Sequence, residues 1–383
     1  MKKESKDVLR KEIILKKILI FIVLVLPSIS FAAPVITSVE GTVSNGQQLT
    51  ITGCGFGSSG PDVILFDDFS DGTDGETVPD NAVIGSWDSK SKGVITYADN
   101  LLSNGKGARG VGSSGQLSNR VLFGDNYSEV FVSSIAYVPD GYSFPSASAE
   151  ETMPTVSALK HFWVMYDTGY LYKIEPDIVA PTWVGGKFYT VASNDAPIST
   201  FDTNGDVSWV WDEPVRWSLW MKGNGDQASG SDGAFQAVSS DGQINKRYSD
   251  YKAWFNSDHS VFAWDRMVIP GYVVSSSTYP THNYVIDDVY VAVGPNANVR
   301  VEIGNESDYT ACTKMAICTP NSWSDTDVVA TVREGTFNTG DVVYLFIVDK
   351  DETPSTGTEI VFGADIDMDT SIQPPTNLDV QAD

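Results

Sequence analysis

Residues 215–222 read Val-Arg-Trp-Ser-Leu-Trp-Met-Lys. Taken alternately, Val215, Trp217, Leu219 and Met221 fall on one side and Arg216, Ser218, Trp220 and Lys222 on the other. This is the period of a β-strand, whose successive side chains point to opposite faces. The first set predicts a core face. The second is polar with one large aromatic, as expected on the open face of an antiparallel sheet. Outward from this segment the same kind of run recurs at 48–52, 130–138, 162–166, 284–293 and 342–348. These runs are rich in Val, Ile, Thr, Tyr and Trp, and clusters of Gly, Ser, Asn and Asp separate them. Many short strands punctuated by turn residues predict sandwiches or barrels, so the chain is expected to be all-β.

The two ends of this β region read as halves of one unit. Residues 34–57, PVITSVEGTVSNGQQLTITGCGFG, resemble the opening of an IPT/TIG domain, a small immunoglobulin-like sandwich. The closing strands of that family do not follow, because from Leu65 the text changes to LFDDFSDGTDG. A matching second half stands at 299–349. It contains the Trp323-Ser324-Asp325-Thr326 turn, a strand-like run at 328–332, Gly335-Thr336-Phe337 and the run 344–349. The resemblance implies one sandwich interrupted by an insertion. A surface loop accepts an insert whose own ends lie close together, whereas two incomplete sandwiches would expose unpaired edges.

The insert opens on Phe66-Asp67-Asp68-Phe69 and closes on YVIDDVYV at 284–291. Pairing of its first and last strands would set these acid pairs side by side. With the runs at 215–220 and 231–238 and a size of about 230 residues, it resembles the concanavalin A-like lectin/glucanase jelly roll. The expected organisation is a leader at 1–32, a first half-sandwich at 33–66, a jelly roll at 67–297, a second half-sandwich at 298–363 and an acidic tail at 364–383. Within the tail, Pro374-Pro375-Thr376-Asn377-Leu378-Asp379-Val380 resembles the first strand of a fibronectin type III domain.

The N-terminus carries Lys2, Lys3, Lys6, Arg10, Lys11, Lys16 and Lys17. The apolar run 18–26, Pro27 and the small residues around Ser30-Phe31-Ala32 follow. This is the plan of a secretory signal peptide. A nine-residue run rises only about 14 Å as a helix, too short to cross a bilayer. Export to the medium or the cell surface is therefore expected, with no membrane insertion once the leader is removed.

Of 383 residues, 25 are basic and 50 acidic, a formal net charge of −25, and 42% are apolar. The apolar fraction supports a packed core. The acidity argues against nucleic acid as a partner. It also argues against a purely electrostatic grip on a polyanionic glycan, unless a local basic patch overrides it. The three histidines, His161, His259 and His282, lack zinc-like spacing.

Carboxylates are the first candidates for glycan chemistry. Retaining glucanases of this fold resemble one another in a Glu-x-Asp-x-x-Glu strand, but here Glu175-Pro176-Asp177 leads to Ala180 where the third acid would stand. Proline is also awkward inside a central strand. A lyase needs a Tyr or His base and a group that neutralises a uronate. His161 with Tyr166, Arg247 with Tyr248 and Tyr251, and His259 with Arg266 are local sets of that composition. Nine of the ten tryptophans lie in the insert, and flat aromatics beside charged groups suit the apolar faces of sugars. Trp220 with Arg216 and Lys222 is the leading binding platform, and Trp254 is the second. Core packing is the plainer role for any one tryptophan.

No cofactor is required by these patterns. Asp202, Asn204 and Asp206 offer oxygens at alternate positions for a structural calcium, although Val207 stands where a helix–loop–helix calcium loop has Gly. Cys312 and Cys318 are expected to close a small loop, with Cys54 as a buried free thiol. A Cys54 bond to either is the rival, and it would constrain more chain. The reading that leads is an exported, non-catalytic carbohydrate-recognition or adhesion protein, a jelly-roll head on an immunoglobulin-like stalk, with a glycan as partner. A secreted polysaccharide-degrading enzyme is the alternative, and a structural module of a surface array is the third reading.

Overall fold

The computed structural model describes residues 33–369 except 92–93, 100–105, 112–117, 138–158, 166–172, 180–186, 194–211, 224–230, 249–262, 270–271 and 274–280. Among these residues the chain is all-β. Its one helix is the 3-10 turn Tyr309–Ala311. A jelly-roll sandwich is set into a smaller sandwich made from both ends of the β region.

The smaller sandwich is an eight-stranded sheet folded on itself. Gln48–Cys54 pairs with Asp327–Thr331, placing Leu49 opposite Ala330 and Ile51 opposite Val328. Val35–Thr42 pairs with Asp365–Asp369. The fold-over is made by Met315–Trp323. Its first part pairs with Arg300–Gly304 and its second with Asp327–Thr331. The register slips between Pro320 and Ser322, as expected where a proline cannot donate to a ladder. Val39, Leu49, Ile51, Val301, Ile303, Cys318, Val328, Leu345 and Ile347 share its core.

The jelly roll has two sheets of eight strands. The back sheet runs Asn245–Tyr248, Ser231–Ser239, Val215–Gly223, Glu129–Tyr137, Thr281–Val293, Lys106–Val111 and Val94–Asp99, and Asp62–Asp67 also pairs with Thr281–Val293. The acid pairs at the two ends of the insert thus meet, with Asp67 opposite Val289. The front sheet runs Tyr272–Val273, Leu159–Lys160, Lys173–Val179, Trp163–Met165, Trp264–Ile269, Ser118–Tyr127 and Ser89–Ser91, and Lys187–Ser193 pairs with Lys173–Val179. Pro176 is accommodated at a gap. Lys173 and Ile174 pair with Met165 and Val164, and Asp177 and Ile178 pair with Lys160 and Leu159. On that side, among the described residues, nothing in register faces Pro176, where a ladder donor would otherwise be missing.

Val215, Trp217, Leu219 and Met221 are buried between the sheets, packed with Val132, Val291, Trp264 and Met267. Full burial of such side chains contributes roughly 1.5–3 kcal/mol each. The opposite face of Val215–Gly223 is not open. Phe131, Trp220, Tyr290 and Ala292 of the back sheet pack with Phe66, Ala297 and Ile317, and Ile317 belongs to a strand of the smaller sandwich.

Polar groups lock this junction. Arg216 donates through Nε to Ser133 Oγ at 3.2 Å and through Nη1 to Gln236 Oε1 at 3.1 Å, and its Nη2 contacts Glu302. Glu302 lies on Arg300–Gly304 and is fully buried. Tyr309 Oη donates to it at 2.5 Å, and Arg300 Nε lies 3.2 Å from Oε1. Arg300 also makes a two-pronged contact with Glu352, at 2.8 and 2.9 Å. Burial alone would raise the Glu302 carboxyl. Arg216 and Arg300, with the Tyr309 hydrogen bond, override it and hold the group down at about 2.

Candidate active site

The sequence platform does not form an open site. Arg216 is 6% and Trp220 8% exposed. The indole Nε1 donates to Glu129 Oε1 at 3.3 Å, and Lys222 pairs with Glu129 Oε2 at 3.3 Å. Only Lys222 of the three reaches solvent, with its side chain 48% exposed. The strand alternation places the three residues on the face opposite the core, and the smaller sandwich then covers that face. Trp254, Asp202, Asn204 and Asp206 lie outside the described residues. Among the described residues no group of three or more His, Cys, Asp or Glu side chains is arranged to hold a metal ion.

With the back sheet covered, the front sheet is the jelly-roll face on which a site can be built. Its strands carry Lys90, Arg120, Lys160, Lys173, Lys187 and Arg266 against Asp125, Glu175, Asp177 and Asp265. Cations thus outnumber acids there, in a chain whose formal charge is −25. The register lines up Leu122, Arg266, Met165 and Lys173 across four neighbouring strands, with Arg120, Val268 and Trp163 in a second row.

Arg266 is set by a backbone irregularity. The register slips between Trp264 and Arg266. Regular alternation would send Asp265 and Arg266 to opposite faces. At this bulge they meet instead: Arg266 Nε donates to Asp265 Oδ1 and Nη2 to Oδ2, both at 2.7 Å. The side chains are 13% and 22% exposed, whereas Trp264 and Met267 on either side are buried in the core. Bulges re-aim side chains in this way next to active sites. A guanidinium held flat by one carboxylate is an oriented cation for a carboxylate of a ligand. Alternation from Trp264 would have put Arg266 inward, so sequence reasoning missed the pair although it named Arg266.

His161 cannot act as a base from here. It is fully buried between the sheets, its Nε2 lies 2.7 Å from Ser134 Oγ, and its ring packs against Phe162 and Trp217. Burial pushes the imidazole down to about 3, so it stays neutral. Arg247 is also committed elsewhere. Its Nη2 donates to the Cys312 carbonyl at 2.7 Å, and its guanidinium lies 5.1 Å from the Tyr309 ring centre, at the junction. Tyr166, Tyr251 and His259 lie outside the described residues.

Near the insert ends, the carboxyl of Asp67 has a raised pKa. Burial lifts Asp67 to about 6, against the opposing effect of hydrogen bonds from Trp87 Nε1 at 2.7 Å and Phe69 N at 3.1 Å. Asp67 is only 6% exposed and next to the core, so it is a poor proton donor to a bulky polymer.

The expected Cys312–Cys318 bond is absent, and all three cysteines are free thiols. Residues 315–323 form a strand, not a loop. Cys318 lies with Ala316 in the core of the smaller sandwich, whereas Cys312 packs with Met315 and Phe346 in a separate cluster. Met315 and Cys318 are an odd number of residues apart on the strand, so they face opposite ways. Cys54, expected to be buried, is exposed. Burial raises the thiols of Cys312 and Cys318, the latter to about 12. A thiol reagent is therefore expected to modify Cys54 in the native protein, and the other two only after denaturation. Two unreactive sulfurs that need reductant as well as denaturant would contradict the free-thiol assignment.

No protein-family model matches the chain, and no curated protein does. Several solved structures are similar to it. An alginate lyase, Aly36B, in complex with alginate tetrasaccharide is 14% identical with a TM-score of 0.39, over 62% of this chain and 98% of that one. The alginate lyase vAL-1 from Chlorella virus is 14% identical with a TM-score of 0.32, over 61% and 100%. A β-glucanase catalytic domain from Podospora anserina is 12% identical with a TM-score of 0.32, over 60% and 95%. These names are those of polysaccharide-degrading enzymes. The leading sequence reading of a non-catalytic recognition or adhesion protein is corrected by the structure itself: the burial of Arg216 and Trp220 removes the binding platform on which that reading stood.

Proposed function

We propose that the chain is an exported polysaccharide-degrading enzyme whose substrate lies across the front sheet of the jelly roll. The observation that carries this reading is the Asp265–Arg266 pair, set on one face by a bulge within the cation-rich sheet. The leader pattern at 1–32 supports export. The likeness of the smaller sandwich to IPT/TIG domains rests on the sequence motifs.

The chemistry that suits this surface is β-elimination on a uronate-containing polymer. Arg266 would face the uronate carboxylate and offset its charge, which makes the adjacent C–H proton removable. A tyrosinate-type base would take that proton. The electron pair would form the ring double bond as the glycosidic C–O bond breaks, and the departing oxygen would take up a proton. Front-sheet strands carry Tyr189 and Tyr272, residues of the type such a base requires.

Incubation with alginate, and in parallel with neutral β-glucans, tests the reading. Ultraviolet absorbance from unsaturated uronate ends is the expected product signal. New reducing ends without that absorbance would make the protein a hydrolase and overturn the elimination chemistry. Intact polymer in every case would overturn the enzyme reading.

A further inference from the structure

At the other end of the junction, three carboxyls crowd one guanidinium. Asp288 stands at a register slip in Thr281–Val293, with φ at +47° and 7% exposure. Asp68 lies beside it, just after the strand Asp62–Asp67 with which Thr281–Val293 pairs. From the smaller sandwich, the segment 333–335 descends onto both. Arg333 Nη1 lies 3.6 Å from Asp68 Oδ2, and the guanidinium covers the Phe66 ring at 4.4 Å. Glu334 adds a third carboxyl that senses Asp68. Gly335 fits closely: its φ is +53°, and an added Cβ would fall 2.9 Å from Ala316 Cβ and 3.5 Å from Asp288 Oδ2. Arg216 of the back sheet and the Cys318 thiol of the smaller sandwich also face Asp288, and Asp287 accepts from its backbone N–H at 2.8 Å.

We propose that this contact is a proton-operated clasp between the two sandwiches. With a proton held on Asp288, Arg333 bridges to Asp68 and the segment 333–335 sits tightly on the bulge. When the proton leaves, an additional buried carboxylate repels Asp68 and Glu334, and the seat loosens. Burial, then the neighbouring Asp68 carboxylate, push the Asp288 carboxyl up to about 7, against the opposite pull of Arg333. Its ordinary value is 3.8, so between these values the folded protein holds a proton that the unfolded chain has released. Stability is therefore highest in mildly acid solution and falls as the pH rises through about 7.

Thermal unfolding of the full-length protein across this range tests the clasp. The wild type is expected to lose roughly 5 °C or more of melting temperature between about pH 5 and about pH 8. Asp67, raised to about 6, contributes the lower part of that fall, and Asp67→Asn measures it. Asp288→Asn keeps the shape of the protonated acid, and asparagine tolerates a positive φ. It is expected to remove the fall above about pH 6 and to melt above the wild type at about pH 8. Asp68→Asn removes the like charge but not the burial, so it is expected to make the slope shallower without abolishing it, which keeps the test open if the first variant folds poorly. Retention of the wild-type slope above about pH 6 in both variants would overturn the proposal.

Discussion

Replacing Glu302 by alanine is expected to lower stability by about 3–5 kcal/mol, because it leaves buried Arg216 without its carboxylate and Arg300 with Glu352 alone. Arg216 and Arg300 are 6% and 3% exposed, so neither can recover its charge interaction from water. Tyr309 Oη loses its acceptor as well. The loss is a large share of the roughly 5–15 kcal/mol that holds an ordinary domain folded. It also falls at the junction, so the smaller sandwich should come away from Phe131 and Trp220 as the network fails. Urea unfolding would read the change as a lower midpoint, and exchange protection in Arg300–Gly304 should fall with it. Glu302→Gln keeps an acceptor for Tyr309 but not the charge, so its midpoint should lie between the two. An alanine variant within about 1 kcal/mol of the wild type would show that the network contributes little beyond packing.

Much of the architecture was legible because it depends on local periodicity. The two-residue alternation of 215–222 separates the core set from the outward set, and turn residues mark the strand limits. The matching half-patterns at 34–57 and 299–349 correspond to strands that share one core. What alternation cannot say is what covers an outward face. Arg216 looks like a ligand contact in the sequence, but its partner Glu302 is 86 residues away on another sandwich. The cysteines misled for a related reason. A five-residue gap suggests a loop, and only the strand Met315–Trp323 shows that Cys318 turns into the core, away from Cys312.

The active-site candidate was illegible at one point in particular. In Trp-Asp-Arg-Met at 264–267, regular alternation sets Arg266 inward with Trp264. The bulge brings it out beside Asp265. The acidity of the whole chain likewise pointed away from an anionic polymer, while on the front-sheet strands the cations outnumber the acids. A net charge averages over surfaces that a substrate never touches.

The second large effect is on turnover. If Arg266 offsets the carboxylate charge that builds during elimination, Arg266→Ala should lower kcat by roughly 100-fold or more, as removal of one such stabilising group does elsewhere. Lysine at this position keeps a charge but not the two-pronged grip on Asp265, so Arg266→Lys should recover only part of the rate. Lys222, exposed beside Glu129 on the back sheet, lies on the other face of the jelly roll, and Lys222→Ala should leave the rate as it is. The most direct test of the account is the initial rate of unsaturated-product release from alginate by wild type, Arg266→Ala and Lys222→Ala side by side. A rate lost in the first variant and kept in the second is the predicted result. A rate kept in Arg266→Ala, or lost in Lys222→Ala alone, would contradict the assignment of the front sheet as the catalytic face.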